Sequence, residues 1–136
     1  MPSSLKLVLA LLLFGALAAP VAIAVLIAQD EAQARVTAEQ ITGGHADAGK
    51  QAIGRYGCGG CHAIPGLNSA DGRVGPPLNH MGQRVEIAGV LANNPGNMIR
   101  WLQHPQAVVP GNGMPDQPMS DRDARDIAAY LYALRR

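Results

Sequence analysis

The sequence Cys58-Gly59-Gly60-Cys61-His62 contains both cysteines of this 136-residue chain. Two thiols at this spacing, followed at once by a histidine, form the attachment pattern of c-type haem. Each thiol can form a thioether with one haem vinyl group, and the imidazole then lies where a ring nitrogen can bind the iron. The motif therefore predicts one covalently attached haem c, held by Cys58 and Cys61, with His62 as an iron ligand.

Two other interpretations of this cysteine pair are weaker. A thioredoxin-like redox pair requires a βαβ context, which the sequence pattern does not show. Half of a zinc site requires two further ligands at matching spacing, and no cysteine lies outside the motif. Haem attachment is therefore the favoured interpretation.

An uncharged and mostly apolar run of 22 residues extends from Leu7 to Ala28. As a helix it would be roughly 33 Å long, which is enough to span a bilayer. Lys6 precedes the run and two acidic residues follow it, which favours a cytoplasmic N-terminus. A signal peptide is the rival interpretation, because Ala16-Leu17-Ala18 matches a cleavage site. Apolar residues continue past that site, which favours a retained anchor.

These features divide the chain into three parts. Residues 1–28 are predicted to form a single-pass anchor, or an uncleaved signal sequence, in a bacterial inner membrane. Residues 29–44 are polar and rich in Ala, Glu and Gln, which favours a helical linker. Residues 45–136 form the predicted haem domain, which we expect on the periplasmic side, where such thiols are stable and haem is attached.

Three helices are predicted in the haem domain. Apolar residues at helical spacing indicate the first two, from about Ala46 to Tyr56 and from Pro95 to His104. The third follows Ser120, which is a favourable N-cap. Glycine, proline and asparagine predict loops over 63–82 and 105–119, while 85–91 is either extended or a short helix. The expected fold class is a small all-α domain with long loops around a haem, preceded by one transmembrane helix.

The second axial ligand of the iron has several candidates, which are Met81, Met98, Met114, Met119, His45, His80 and His104. Met114 is favoured because its loop, between Pro110 and Pro115, can cover the open haem face and present one sulfur. Met98 falls on the apolar side of a helix and is expected in the core. His80 and Met119 remain alternatives.

Two further features concern the surroundings of the haem. The run Val74-Gly75-Pro76-Pro77-Leu78 offers rigid carbonyls that could accept a hydrogen bond from the ligating imidazole, although a plain proline turn fits as well. Trp101 is the only indole in the chain. It either donates a hydrogen bond to a haem propionate or fills the core.

Four segments in order resemble a class I cytochrome c: CGGCH, VGPPLNHMGQR, NNPGNMIRWLQHPQAVVPGNGMPD and the terminal ARDIAAYLYAL. More narrowly, residues 47–135 resemble the cytochrome c module fused to subunit II of caa-type haem–copper oxidases. The resemblance implies thioethers at Cys58 and Cys61, iron ligation by His62 and Met114, and a Pro76 carbonyl that accepts from His62. It also implies that the first and last helices of the domain cross at Gly49, with Tyr130 nearby.

The sequence departs from this family in two places. Ile53 stands where the family commonly has an aromatic residue, which affects packing rather than chemistry. No copper-binding cupredoxin domain precedes the haem domain, so we expect something other than a whole oxidase subunit II.

The expected function is single-electron transfer and not catalysis, because both axial positions are filled and no site remains for a small-molecule substrate. A net charge of +1 gives no indication of nucleic-acid binding. The leading hypothesis is a membrane-anchored cytochrome that delivers electrons to a terminal oxidase or another membrane redox complex. A cytochrome subunit of a periplasmic dehydrogenase is the alternative, and a haem gas sensor or peroxidase is a weaker one.

Overall fold

A computed structural model of the chain describes residues 2–135. Met1 and Arg136, at the ends of the predicted anchor and haem domain, lie outside the described residues. Two compact units meet in sequence between Gln33 and Ala34. The described residues form five α-helices and one antiparallel pair of strands: α1 (Ser3–Thr42), α2 (Ala46–Arg55), β1 (Glu86–Ile87), β2 (Leu91–Ala92), α3 (Pro95–Gln103), α4 (Pro105–Val108) and α5 (Asp121–Ala133).

The first unit consists of helix α1 up to Gln33. The apolar run predicted from Leu7 to Ala28 lies wholly within this helix, and nearly all of its side chains are exposed. Its most apolar 18-residue window has a mean hydropathy of 2.7, so the helix is long and apolar enough to cross a membrane. A signal sequence near an N-terminus meets the same criterion.

The second unit begins inside the segment predicted as a polar linker. That segment is helical to Thr42, as expected, and Ala34, Ala38 and Thr42 are buried in the second unit. The carboxylate of Glu39 accepts a hydrogen bond of 2.9 Å from the backbone N–H of Ala46. The last turns of α1 therefore cap the N-terminus of α2 and pack as part of the second unit.

The three helices predicted in the haem domain are confirmed as α2, α3 and α5. Local capping explains where two of them begin. Ser120 Oγ accepts a hydrogen bond of 3.0 Å from the backbone N–H of Asp123, and Asn94 Oδ1 accepts one of 2.9 Å from that of Asn97. The apolar faces of α2, α3 and α5 meet in one core, whose least exposed large side chains are Ile53, Met98 and Ile127.

Helices α2 and α5 cross at Gly49. A Cβ atom at that position would overlap the carbonyl group of Asp126 and lie 2.9 Å from the backbone nitrogen of Ile127. Close by on α5, the hydroxyl of Tyr130 donates a hydrogen bond of 2.6 Å to the carbonyl of Pro65. The expected crossing, with Gly49 at the contact, is therefore confirmed.

One prediction for the loops is wrong, and the structure decides between the two alternatives for another segment. The stretch 105–119 is not wholly loop, because Pro105 begins the short helix α4. In the segment 85–91 the extended alternative applies: Ile87 pairs with Leu91, and Ala88 and Gly89 form the turn with φ of +53° and +72°. Segments of two to four residues have too few positions to show an apolar period, so the sequence neither predicted α4 nor decided between the alternatives for 85–91.

The contact between the ends of α2 and α5 should make stability sensitive to acid. Hydrogen bonds from the hydroxyls of Tyr56 and Ser120, each 3.0 Å, and the nearby Arg55 guanidinium lower the pKa of Asp123 below its ordinary value of 3.8. Because the folded-state pKa is lowered, the stabilisation is present above the ordinary value and is lost as pH falls through the folded value.

We therefore expect the Tm of Asp123→Asn to fall less between neutral and acid pH than that of the wild type. Calorimetry across this pH range measures the difference. Asp121→Asn is the matched control, because Asp121 makes only an exposed pair with Arg125 at 2.8 Å. Parallel pH profiles for wild type and Asp123→Asn would contradict the prediction.

Candidate functional site

The second unit contains a cavity of about 650 Å³ whose walls are mainly apolar. It lies among α2, α3, α5, the strand pair and the loops that connect them. All six residues predicted from the sequence line it, namely Cys58, Cys61, His62, Pro76, Trp101 and Met114. The chain therefore brings together, around one apolar space, side chains that lie up to 56 positions apart in sequence.

The cysteine motif forms a tight turn at the end of α2. Gly57, at φ +67°, ends the helix, and a 3₁₀ turn covers Cys58–Gly60. The Cys58 carbonyl accepts from the backbone N–H groups of Cys61 and His62, at 3.2 and 2.9 Å. This turn places both thiols and the imidazole at the same wall of the cavity. Burial raises the pKa of the half-buried Cys58 thiol, so the thiol form is favoured at neutral pH.

The ring of His62 is fixed by the chain that follows the motif. Its Nδ1 donates a hydrogen bond of 2.7 Å to the carbonyl oxygen of Pro76, since a carbonyl can only accept. A neutral ring that donates through Nδ1 keeps the lone pair of Nε2 available for a metal. Gly75 packs so closely that an added Cβ would lie 2.6 Å from Nδ1. The proline run thus contacts and orients the imidazole, whereas the alternative of a plain proline turn implied no contact with His62.

The candidates for the second iron ligand differ in their burial and in whether they line the cavity. Met81, Met98 and Met119 line the cavity but are buried in the core cluster, whereas Met114 is half-buried and lies on the loop side. Met81 lies in the loop predicted over 63–82, but it is buried, because the 3₁₀ turn at Met81–Gln83 directs it inward. His45, His80 and His104 are exposed and do not line the cavity.

Arg84 is a cavity residue that the sequence analysis did not single out. Its Nη2 donates to the carbonyl oxygens of Pro77 and Asn79, at 2.5 and 2.9 Å, and its side chain lines the cavity. It therefore fixes the loop after the proline run and supplies a positive charge to a mainly apolar cavity, whose lining also includes Glu86. A single arginine in a polar loop has no spacing that predicts such a position.

The arrangement bears on the alternatives raised by the sequence. Within residues 2–135, no group of three or more His, Cys, Asp or Glu side chains is placed to hold a metal ion. The described strands are two residues long, unlike those of a βαβ unit. The site fits haem through different features: a large apolar space, two thiols and an oriented imidazole at one wall, and a thioether on a separate loop.

Comparisons with known proteins agree with this chemistry. The family model for cytochrome c matches residues 46–135. Proteins named cytochrome c oxidase subunit 2 are similar to the chain in Alkalihalophilus pseudofirmus (40% identical over 91 residues), Bacillus sp. strain PS3 (42% over 89) and Bacillus subtilis (32% over 91). The matches cover 66%, 62% and 64% of this chain, but only 26%, 25% and 26% of those relatives. No solved structure matches the chain significantly.

Proposed function

The chain belongs to the cytochrome c family, and from this premise we propose that it is a membrane-anchored electron carrier that delivers single electrons to a terminal haem–copper oxidase. The observation that carries the proposal is the single cavity that unites the cysteine motif, the oriented His62 and Met114. When bound, haem c supplies an iron that changes between the ferric and ferrous states by one electron.

Each cavity residue has a distinct part in holding this group. Cys58 and Cys61 would form the two thioethers, and His62 would bind the iron through Nε2 while Pro76 holds its Nδ1–H. Met114 would supply a thioether sulfur, which favours the ferrous state and so raises the reduction potential. Because protein side chains would fill both axial positions, the proposed role is electron transfer rather than chemistry on a substrate.

Two polar side chains suit the carboxylates that haem carries. The guanidinium of Arg84 would offset their charge at the cavity wall. Trp101, half-buried in the same cavity, would donate its indole N–H to one of them. Both assignments extend the proposal from the iron to the edge of the cofactor.

The proposed location follows from helix α1. We assign residues 1–28 to the membrane anchor, residues 29–44 to the connecting segment and residues 45–136 to the haem domain, on the periplasmic side of a bacterial inner membrane. The exposed apolar helix and the positive charge at Lys6 support this orientation. Haem attachment outside the cytoplasm is consistent with it.

The proposed partner follows from two observations. The first is that the matching relatives are named cytochrome c oxidase subunit 2. At the cavity rim, Val74 and Val90 are 79% and 55% exposed, which suits contact with a partner through a small apolar patch.

The test uses the full haem-loaded chain in liposomes that contain a purified haem–copper oxidase. We expect reduced wild-type protein to be reoxidised by the oxidase, and Met114→Leu to lose both the far-red sulfur-to-iron absorption band and rapid reoxidation. Deletion of residues 7–28 should slow reoxidation about 100-fold at equal protein concentration, because the tether raises the effective concentration. Stopped-flow absorbance measures the rates.

Met119→Leu is the matched control, since Met119 also lines the cavity and the change preserves volume. The band should persist in this variant. If instead Met119→Leu removed the band and Met114→Leu kept it, the proposed ligand would be wrong. If wild-type protein with an intact band transferred no electrons to the oxidase, the proposed partner would be wrong.

A further inference from the structure

The loop that carries Met114 is held by one side chain of the short helix α4. Gln106, in the first turn of this helix, is half-buried beneath the loop. Its Nε2 donates to the carbonyl oxygens of Asn112 and Met114, at 2.9 and 2.7 Å. Its Oε1 accepts a hydrogen bond of 2.9 Å from the backbone N–H of Gly111. One amide group therefore holds the backbone at three positions of a four-residue stretch.

The position of Gln106 is itself fixed on both sides. Its backbone N–H donates 3.0 Å to the carboxylate of Asp116, just beyond the loop. Inside the loop, Asn112 Oδ1 accepts 2.7 Å from the backbone N–H of Met114, and Asn112 Nδ2 donates 3.0 Å to the carbonyl of Pro105. The amide side chains of Gln106 and Asn112 therefore bind this loop to α4.

We propose that Gln106 is a positioning residue that fixes the sulfur of Met114 and thereby keeps the distal side of the iron closed. The inference rests on the proposed function, because it concerns the ligand assigned there. A methionine side chain has three rotatable bonds and places its sulfur only as well as its backbone is held. Gln106 holds the carbonyl of Met114 at 2.7 Å, and this group is joined directly to the Cα that carries the side chain.

The chemistry of the contact requires an amide. Two carbonyls need donors and one N–H needs an acceptor, and a glutamine supplies both from a single planar group. Glutamate has nearly the same shape and can still accept from Gly111, but as a carboxylate it offers no donor to the two carbonyls. Gln106→Glu therefore removes the two contacts that hold Asn112 and Met114 while the size of the side chain is preserved.

The test compares haem-loaded wild-type protein with Gln106→Glu and Gln106→Ala. Loss of one net hydrogen bond changes an equilibrium by about fivefold, and both variants lose at least two, so we expect carbon monoxide to bind the reduced variants at least about tenfold faster than the wild type. The far-red band should weaken, and the reduction potential should fall. The amide of Gly111 should exchange its hydrogen faster in Gln106→Ala than in Gln106→Glu, because only glutamate retains an acceptor for it.

Gln103→Ala is the matched control. Gln103 also belongs to a helix that precedes the loop, and its Nε2 reaches the carbonyl of Met119 at 3.4 Å, away from the Met114 loop. It should change Tm without changing carbon monoxide binding. A purely structural role for Gln106 would lower Tm and leave the band, the potential and carbon monoxide binding at wild-type values, which would overturn the inference.

Met114→Leu separates this inference from the proposal on which it rests. If Met114→Leu keeps the band, the ligand assignment fails, and the inference fails with it. If Met114→Leu loses the band while Gln106→Glu behaves like the wild type, the inference alone is overturned.

Discussion

Replacement of Gly49 by alanine is expected to lower the free energy of unfolding by at least about 3 kcal/mol, at the upper end of overpacking effects. An added Cβ would overlap the carbonyl of Asp126 and lie 2.9 Å from the backbone nitrogen of Ile127. These are backbone atoms of α5, so no side chain can rotate away to make room. The helices α2 and α5 would have to separate along their whole contact.

Separation of these helices would reach beyond Gly49 itself. Asp126 is buried, and its Oδ1 accepts a hydrogen bond of 2.7 Å from the backbone N–H of His45, which caps α2. Ile53 and Ile127, which line the cavity from the two helices, would lose packing together. We therefore expect weaker retention of the native haem environment as well as lower stability.

Gly54→Ala is the matched control for this change. Gly54 lies in the same helix, and an added Cβ there would meet no atom within 4 Å. Alanine has the higher helix propensity, so this variant should gain up to about 1 kcal/mol. Thermal unfolding measures both variants, with a Tm at least about 12 °C lower for Gly49→Ala. Equal Tm values for the two variants would show that the close contact of α2 with α5 at Gly49 does not determine stability, which would contradict the prediction.

The parts of the fold that the sequence predicts are those with local causes. Helix α5 has an apolar stripe along 13 residues and a serine cap, and both features lie within the helix or next to it. The cysteine motif is likewise read from five consecutive residues. The spans of α2 and α3 and the start of α5 could therefore be placed to within one residue.

The features that the sequence does not predict depend on residues distant in the chain. The contact of Asp126 with His45 joins positions 81 apart. Ala34 and Ala38 are buried in the second unit, but the sequence around them has the same polar composition as an exposed helix and so does not predict their burial. For Gln106, several partners lie close in sequence, but only the folded loop brings their backbone groups to one amide.

The candidate site shows the same division. The residue types that bind haem are evident from the motif, but the residues of the motif alone do not identify the partner of the imidazole. The residue types of Val74 to Leu78 offer several carbonyls, and only the family resemblance singled out that of Pro76, which lies 2.7 Å from His62 Nδ1. Rigid proline backbone explains why this carbonyl is held in place, and Gly75 explains how the ring can come so near.

Replacement of Gly75 by alanine is the second change from which we expect a large effect, and it acts on the site rather than on the core. The added Cβ would overlap the imidazole of His62, at 2.6 Å from Nδ1 and 2.8 Å from Nε2. The ring must turn or the proline run must move, and either change breaks the hydrogen bond to Pro76. Loss of such a contact to a ligating histidine typically costs about 10- to 100-fold in metal binding or activity.

We expect the haem of Gly75→Ala to stay covalently attached through Cys58 and Cys61, while the fraction of high-spin iron in the oxidised protein rises about tenfold. Absorbance gives that fraction, and the Nδ1–H resonance of His62 reports the bond to Pro76 by NMR. Gly96→Ala is the control, because its added Cβ would have only an ordinary contact of 3.6 Å and Gly96 does not line the cavity. If Gly75→Ala kept the wild-type spectrum and the His62 resonance unchanged, then the imidazole would be oriented by something other than the packing of this glycine.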